Sequence, residues 1–138
     1  IWFSQFGPYV NSWWKVKDED NVLFLHYSDA KRDLPGTVSK IAKFYGITLT
    51  AKEHGKIVEK CGFKYMKEHE SMFEYTVPLN PDFQGKVMAK GGLVRKGKQG
   101  DGKEYFTEAE KEEWHKIEED HYGDDPVKLN WARYGGDL

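Results

Sequence analysis

The sequence predicts an α/β fold, mostly helices and loops with one clear strand, and three observations carry the prediction. Residues 21–27, Asn-Val-Leu-Phe-Leu-His-Tyr, form a short and almost wholly apolar run rich in strand formers, the pattern of a strand buried on both faces. Thr50 with Glu53, and again Thr107 with Glu110, stand in the Thr-x-x-Glu arrangement whose side chains satisfy backbone amides at a helix start. Behind each of these starts apolar residues recur at intervals of three and four. One strand cannot make a sheet. Either the region after residue 70 supplies another, or the chain is the carboxyl-side part of a larger α/β domain whose other strands lie upstream. A first residue of Ile rather than Met favours the upstream explanation.

In chain order, residues 7–15 hold Tyr9, Val10, Trp13 and Trp14 spaced along one side of a helix, read as core packing. The apolar strand follows and ends at Ser28-Asp29, with His26 as a packed residue inside it. Asp33 caps a helix whose first turn holds Pro35, followed at helical spacing by Val38, Ile41, Ala42 and Tyr45, and whose stop is Gly46. The helix opened by Thr50 has Ile57, Val58 and Cys61 on its inner face, and Gly62 breaks it before a further helical turn at residues 63–68. Residues 71–102 show no sustained period, while Pro78, Pro81 and the glycines from Gly85 onward mark a long loop region. Loops of that length inside a compact chain are usually functional or mobile. Thr107 opens the last helix, with Trp114, Ile117 and His121 in register, and the tail from Gly123 reads as irregular.

With 138 residues, 38% of them hydrophobic and 15% aromatic, the chain has material for one core and not comfortably for two. No apolar stretch approaches the roughly 18 residues of a membrane-spanning helix, and the opening Ile1-Trp2-Phe3 does not read as a signal peptide. A single cysteine, Cys61, excludes an internal disulfide and fits a reducing, cytoplasmic setting. The five histidines have no recognised zinc spacing with Cys61, so no metal is expected.

Charge is divided sharply along the chain. Lys86, Lys90, Arg95, Lys96, Lys98 and Lys103 face Asp101 alone, and directly afterwards ten acidic residues at 104–125 are opposed only by Lys111 and Lys116. Nucleic acid would meet the acidic segment as well as the basic one, which favours a compact anionic ligand instead. Residues 93–103, Leu-Val-Arg-Lys-Gly-Lys-Gln-Gly-Asp-Gly-Lys, are the most informative run. Arg95 offers a planar fork of donors suited to phosphate, and Lys96 adds a mobile point charge. Gly97 and Gly100 let backbone approach an anion and turn its amides toward it. It is not a Gly-x-x-x-x-Gly-Lys-Ser/Thr loop, because Gln99 follows Lys98. From these residues alone, an anion site and a solvated basic loop both remain open.

The same run resembles the Arg-Lys-Gly-x-x-Gly-Asp-Trp-Lys motif of the cytosolic sulfotransferases, with Gly102 in the Trp position. Residues 103–112 resemble that family's Lys-x-x-x-Thr-Val-x-x-x-Glu dimer motif, with Glu108 in the Val position. Residues 22–33 are similar to its apolar strand followed by Tyr-x-Asp-x-Lys-x-Asp, and residues 38–46 to its Ile-Ala-x-Phe-x-Gly helix. Residues 63–67 resemble Ser-Phe-x-x-Met-Lys, here preceded by Cys61-Gly62 where Thr-Ser is usual, and Trp13-Trp14 falls where the family has a tryptophan pair. The matches run in order from Gly7 to Glu112.

The resemblance implies that residues 1–138 are the carboxyl-terminal part of a single P-loop-type, parallel-sheet sulfotransferase domain whose amino-terminal half is absent. It implies an enzyme that transfers a sulfuryl group from 3'-phosphoadenosine 5'-phosphosulfate to a small-molecule hydroxyl or amine, leaving adenosine 3',5'-bisphosphate. Arg95, Lys96 and Gly97 would hold the 3'-phosphate, and Phe63 would pack on the adenine with Tyr27, Cys61 and Met66 around it. The family's catalytic histidine and 5'-phosphosulfate loop belong to its amino-terminal half, so no catalytic residue is assigned here and the segment alone is expected to be inactive. A noncatalytic nucleotide-binding or protein-interaction module derived from a sulfotransferase is the alternative. The family's homodimer is implied too, although Glu108 would put a charge into an apolar contact. Neither nucleic acid nor membrane is expected as a partner.

Overall fold

The computed structural model describes residues 6–73, 75–80, 83–88, 94, 96–98, 100, 105–136 and 138. The elements in order are α1 (Phe6–Trp14), α2 (Tyr27–Arg32), α3 (Leu34–Phe44), α4 (Ala51–Cys61), α5 (Phe63–Glu68), a 3-10 turn (Glu70–Phe73), β1 (Tyr75–Asn80), β2 (Phe83–Met88), α6 (Glu108–Tyr122) and α7 (Pro126–Tyr134). They divide into two compact units, one of Ile1–Ile47 with Gly100–Leu138 and the other of Thr48–Gln99.

The helix boundaries follow local chemistry. Asp33 accepts from the amide of Gly36 at the start of α3, with proline in the first turn. Thr50 and Thr107 each form both halves of a capping box, with Glu53 and Glu110. At the end of α3, the amide of Gly46 donates to Lys43 O and that of Ile47 to Ala42 O, the paired bonds of a Schellman stop, with Gly46 at φ 66.

In the first unit, aromatic rings form the core's centre. Trp14, Phe24 and Trp131 meet with centroids 5.3 to 5.9 Å apart, and His26 lies edge-on to Trp131 at 5.2 Å. Such pairs contribute about 0.5–1.5 kcal/mol each beyond the area they bury. The Trp14 indole N–H is satisfied by Asp125 at 2.9 Å, and the same carboxylate caps α7 by accepting from the amides of Val127 and Lys128. Hydrogen bonds from the Lys128 amide, Trp14 and the Val127 amide, with the Lys128 charge nearby, hold the Asp125 carboxyl below its usual range. A carboxyl whose pKa falls on folding adds stability above its unfolded value, and that stability is lost as pH falls through the folded value. Acidification below about pH 4 is therefore expected to lower the urea midpoint of wild type more steeply than that of Asp125→Asn; parallel pH profiles would contradict this.

α1 meets α6 where Asn11 donates to His121 O (3.0 Å) and where Gly7 faces the His121 ring, 2.7 Å from Nδ1 for any added Cβ. The carboxyl-side residues are tied to α2 and its cap by three side chains. His26 Nε2 donates to Ala132 O (3.3 Å) while its Nδ1 accepts from the Ser28 amide (3.1 Å), Arg32 donates to Tyr134 O (3.1 Å), and the Gly136 amide donates to Asp29 (3.0 Å). Asp29 and Arg32 also pair with each other. Gly135, at φ 72 and ψ −155, adopts a conformation open essentially to glycine alone, and a Cβ there would lie 2.7 Å from the Asp29 carboxylate.

Four expectations are corrected. The run at 21–27 forms no strand among the described residues: 22–26 belong to no helix or ladder, and Tyr27 already opens α2. A strand is made by its partner, and the run's apolar side chains instead border an open groove of about 350 Å³ with Trp13, Ile41 and Phe44. The region read as a long loop holds an antiparallel hairpin, β1 with β2, in which Thr76 pairs with Lys86, Val77 with Gly85 and Pro78 with Gln84. The tail read as irregular carries α7, started by Asp125 with Pro126 in the first turn. On α4, Val58 is half-buried, but Ile57 and Cys61 of its expected inner face are exposed. No helix among the described residues is long and apolar enough to cross a membrane.

Candidate nucleotide site

Five of the seven residues assigned to the site, Cys61, Phe63, Met66, Lys96 and Gly97, are described in the second unit, at the end of α4, on the short helix α5 and on the loop that follows the hairpin. Gly62 ends α4 and starts α5 in one extended residue, at φ −71 and ψ 146, with no side-chain cap. This elbow sets Cys61 as the exposed last residue of α4 and Phe63, 39% exposed, as the first of α5. Met66, one turn on, is half-buried and its amide donates to Gly62 O (3.1 Å).

The anion loop is brought against this helix. Gly97 has φ 61, and a Cβ built on it would lie 2.6 Å from Cε2 and 2.8 Å from Cγ of Phe63. Only a residue without a side chain can sit so close to the ring. Lys96, the neighbour of Gly97, is exposed. On the other side of Arg95, Val94 is buried and its carbonyl accepts from Lys67 Nζ at 2.7 Å. Lys67 also pairs with Glu70 at 3.0 Å, and Glu70 is buried. Arg95 itself lies outside the described residues. Tyr27 belongs to the first unit, where it opens α2 with a 63% exposed ring.

Chemically, the convergence sets a flat aromatic face beside glycine backbone and a lysine. Such a surface suits a ring carrying an anionic group. Lys67 and Glu70 escaped the sequence reading as functional residues. Their signal was present in the spacing of three, which places opposite charges on neighbouring turns.

A profile of the sulfotransferase domain matches residues 2–126. The chain belongs to the sulfotransferase family. Among curated sulfotransferases, it is 34% identical to sulfotransferase 2A1 of Homo sapiens over 129 residues, 94% of this chain and 44% of that protein. Identity to sulfotransferase 1B1 of Canis lupus familiaris is 36%, over 82% of this chain and 36% of the relative. The amine sulfotransferase of Oryctolagus cuniculus is 30% identical over 95% of this chain and 42% of its own length. This sulfotransferase chain thus spans less than half the length of the curated relatives it matches.

Solved structures agree. Mouse sulfotransferase SULT7A1 complexed with PAP superposes with a TM-score of 0.68 at 25% identity, over 91% of this chain and 44% of that one. Retinol dehydratase in complex with androsterone and inactive cofactor PAP gives 0.70 at 26% identity, over 87% and 34%. Every residue assigned to the sulfotransferase site, from Tyr27 to Gly97, falls inside the matched span, whereas almost all of α7 lies beyond it.

Proposed function

We propose that the chain is the carboxyl-side portion of a single sulfotransferase domain and supplies the adenine and 3'-phosphate part of its donor site. The observation that carries this reading is the close approach of Gly97 to the ring of Phe63. It joins the two motifs that the reading needs in one place, an aromatic platform and an anion loop, across a long sequence interval. In the complete protein, Phe63 stacks on the adenine of 3'-phosphoadenosine 5'-phosphosulfate with Cys61 and Met66 near it, and Arg95, Lys96 and Gly97 take the 3'-phosphate. Stacking on an aromatic face contributes about 1–3 kcal/mol per base. The bound donor supplies the sulfuryl group that a hydroxyl or amine acceptor receives. Two of the structures that resemble this chain hold PAP, which fits a site of this kind.

The upstream half brings the histidine that deprotonates the acceptor, the loop for the 5'-phosphosulfate and the strands beside which residues 22–26 pair. Consistent with a core that other elements complete, no large side chain among the described residues is fully buried, and Leu25, Ile47 and Ile57 remain exposed. Glu108, mostly exposed and paired with Lys111 at 2.6 Å, replaces the apolar residue of the family's dimer contact, so this reading does not depend on a dimer.

The reading is tested by titrating adenosine 3',5'-bisphosphate and adenosine 5'-monophosphate into the complete protein by calorimetry. Clear preference for the bisphosphate is the expected result. Equal affinity for the two nucleotides would remove the 3'-phosphate assignment.

A further inference from the structure

Lys67 is a cation next to the anion loop whose donors are all taken by the protein. Its ammonium lies 3.0 and 3.1 Å from the two Glu70 oxygens and 2.7 Å from the main-chain carbonyl of Val94. Three acceptors match the three N–H donors of an ammonium, which leaves none for a ligand. Glu70, 7% exposed, follows by three residues and holds the ammonium of Lys67 against the protein, although that side chain is 41% exposed. Val94, 5% exposed, is the residue immediately before Arg95.

We propose that Lys67 is a positioning residue for the 3'-phosphate loop. Held by Glu70, its ammonium pins the Val94 carbonyl to α5, and so fixes the point from which Arg95 and Lys96 depart. Phe63 and Lys67 stand four apart on α5 and therefore share a face of that helix. One short helix thus anchors the loop on both sides of Arg95, through Lys67 at Val94 and through Phe63 at Gly97. A charged donor makes the stronger kind of bond to a carbonyl, and a preset loop spares the ligand the cost of ordering it. This inference rests on the reading of Arg95, Lys96 and Gly97 as the 3'-phosphate site.

The test uses the complete protein, with calorimetric titration of adenosine 3',5'-bisphosphate and adenosine 5'-monophosphate. Lys67→Met is expected to weaken the bisphosphate by about 10- to 100-fold, the equivalent of one charge-assisted hydrogen bond, while the monophosphate is unaffected. Lys67→Met with Glu70→Gln separates a tether from a field effect. The double variant restores local neutrality without restoring the tether, so it is expected to stay as weak as Lys67→Met. Recovery of wild-type affinity in the double variant would overturn the proposal, as would an equal loss for both nucleotides or no loss at all. Should Lys67→Met fail to fold, Glu70→Gln decides, with a smaller loss confined to the bisphosphate expected and an unchanged preference overturning the idea. A wild type that binds both nucleotides equally brings down the 3'-phosphate reading itself, and the positioning role with it.

Discussion

Replacing Arg95 by alanine is expected to weaken adenosine 3',5'-bisphosphate binding to the complete protein by about 2–4 kcal/mol, roughly 30- to 1000-fold. The guanidinium presents two parallel donors to a phosphate, and each charge-assisted bond contributes about 1.5–3 kcal/mol. Part of the loss is the cost of leaving the dianion without its guanidinium partner. Arg95→Lys keeps the charge but not the fork, so it should recover only a fraction of the affinity. Measurements belong at one fixed ionic strength, because salt screens exposed charges within about 10 Å at 0.1 M. Calorimetry showing the same affinity for Arg95→Ala and wild type would end the assignment.

The second large effect is expected at Gly97. Gly97→Val places a branched side chain at φ 61, where its Cβ would enter the Phe63 ring. Backbone strain of about 1–3 kcal/mol is joined by displacement of the ring, whose stacking is itself expected to contribute about 1–3 kcal/mol per base. Unlike Lys67→Met, this change should weaken both nucleotides, because it strikes the adenine platform as well as the phosphate loop. A variant that binds the monophosphate as wild type does would show that Phe63 is not the platform. Ultraviolet difference spectra of the bound purine provide an independent check.

What could be read ahead of the structure was local. Thr50, Thr107 and Asp33 announce helices because a cap and its amides lie within three residues of one another. Asp125 and Pro126 carried the same kind of signal for α7. Lys128, Asn130 and Arg133 broke the apolar rhythm, and Lys128 turned out to be buried, paired with Asp124 at 2.8 Å. The hairpin was hidden because Pro78 and Gly85 sit inside its strands and its ladder bulges near both ends of β1, so no alternation survived. Residues 21–27 misled in the opposite direction. Their composition was that of a buried strand, but pairing is a property of two segments, and composition describes one.

The site divided along the same line. Arg95, Lys96 and Gly97 were legible as a contiguous run of charge and glycine. That Gly97 needs to be glycine because of Phe63 was not legible, since the two meet only through the fold. Lys67 was legible only as the last residue of the run at 63–67, and that Glu70 and the Val94 carbonyl hold its ammonium emerges only from the fold.

The tie between α2 and the carboxyl-side turn has a practical side. An expression boundary placed at residue 126, where the match to the family profile ends, would delete Trp131 and strip Trp14 and Phe24 of their third ring. It would also strand His26, Asp29 and Arg32 without the carbonyls and amide they hold. The end of the profile match is thus a poor guide to where this polypeptide can be cut, and affinity tags are better attached away from Gly135 and Gly136.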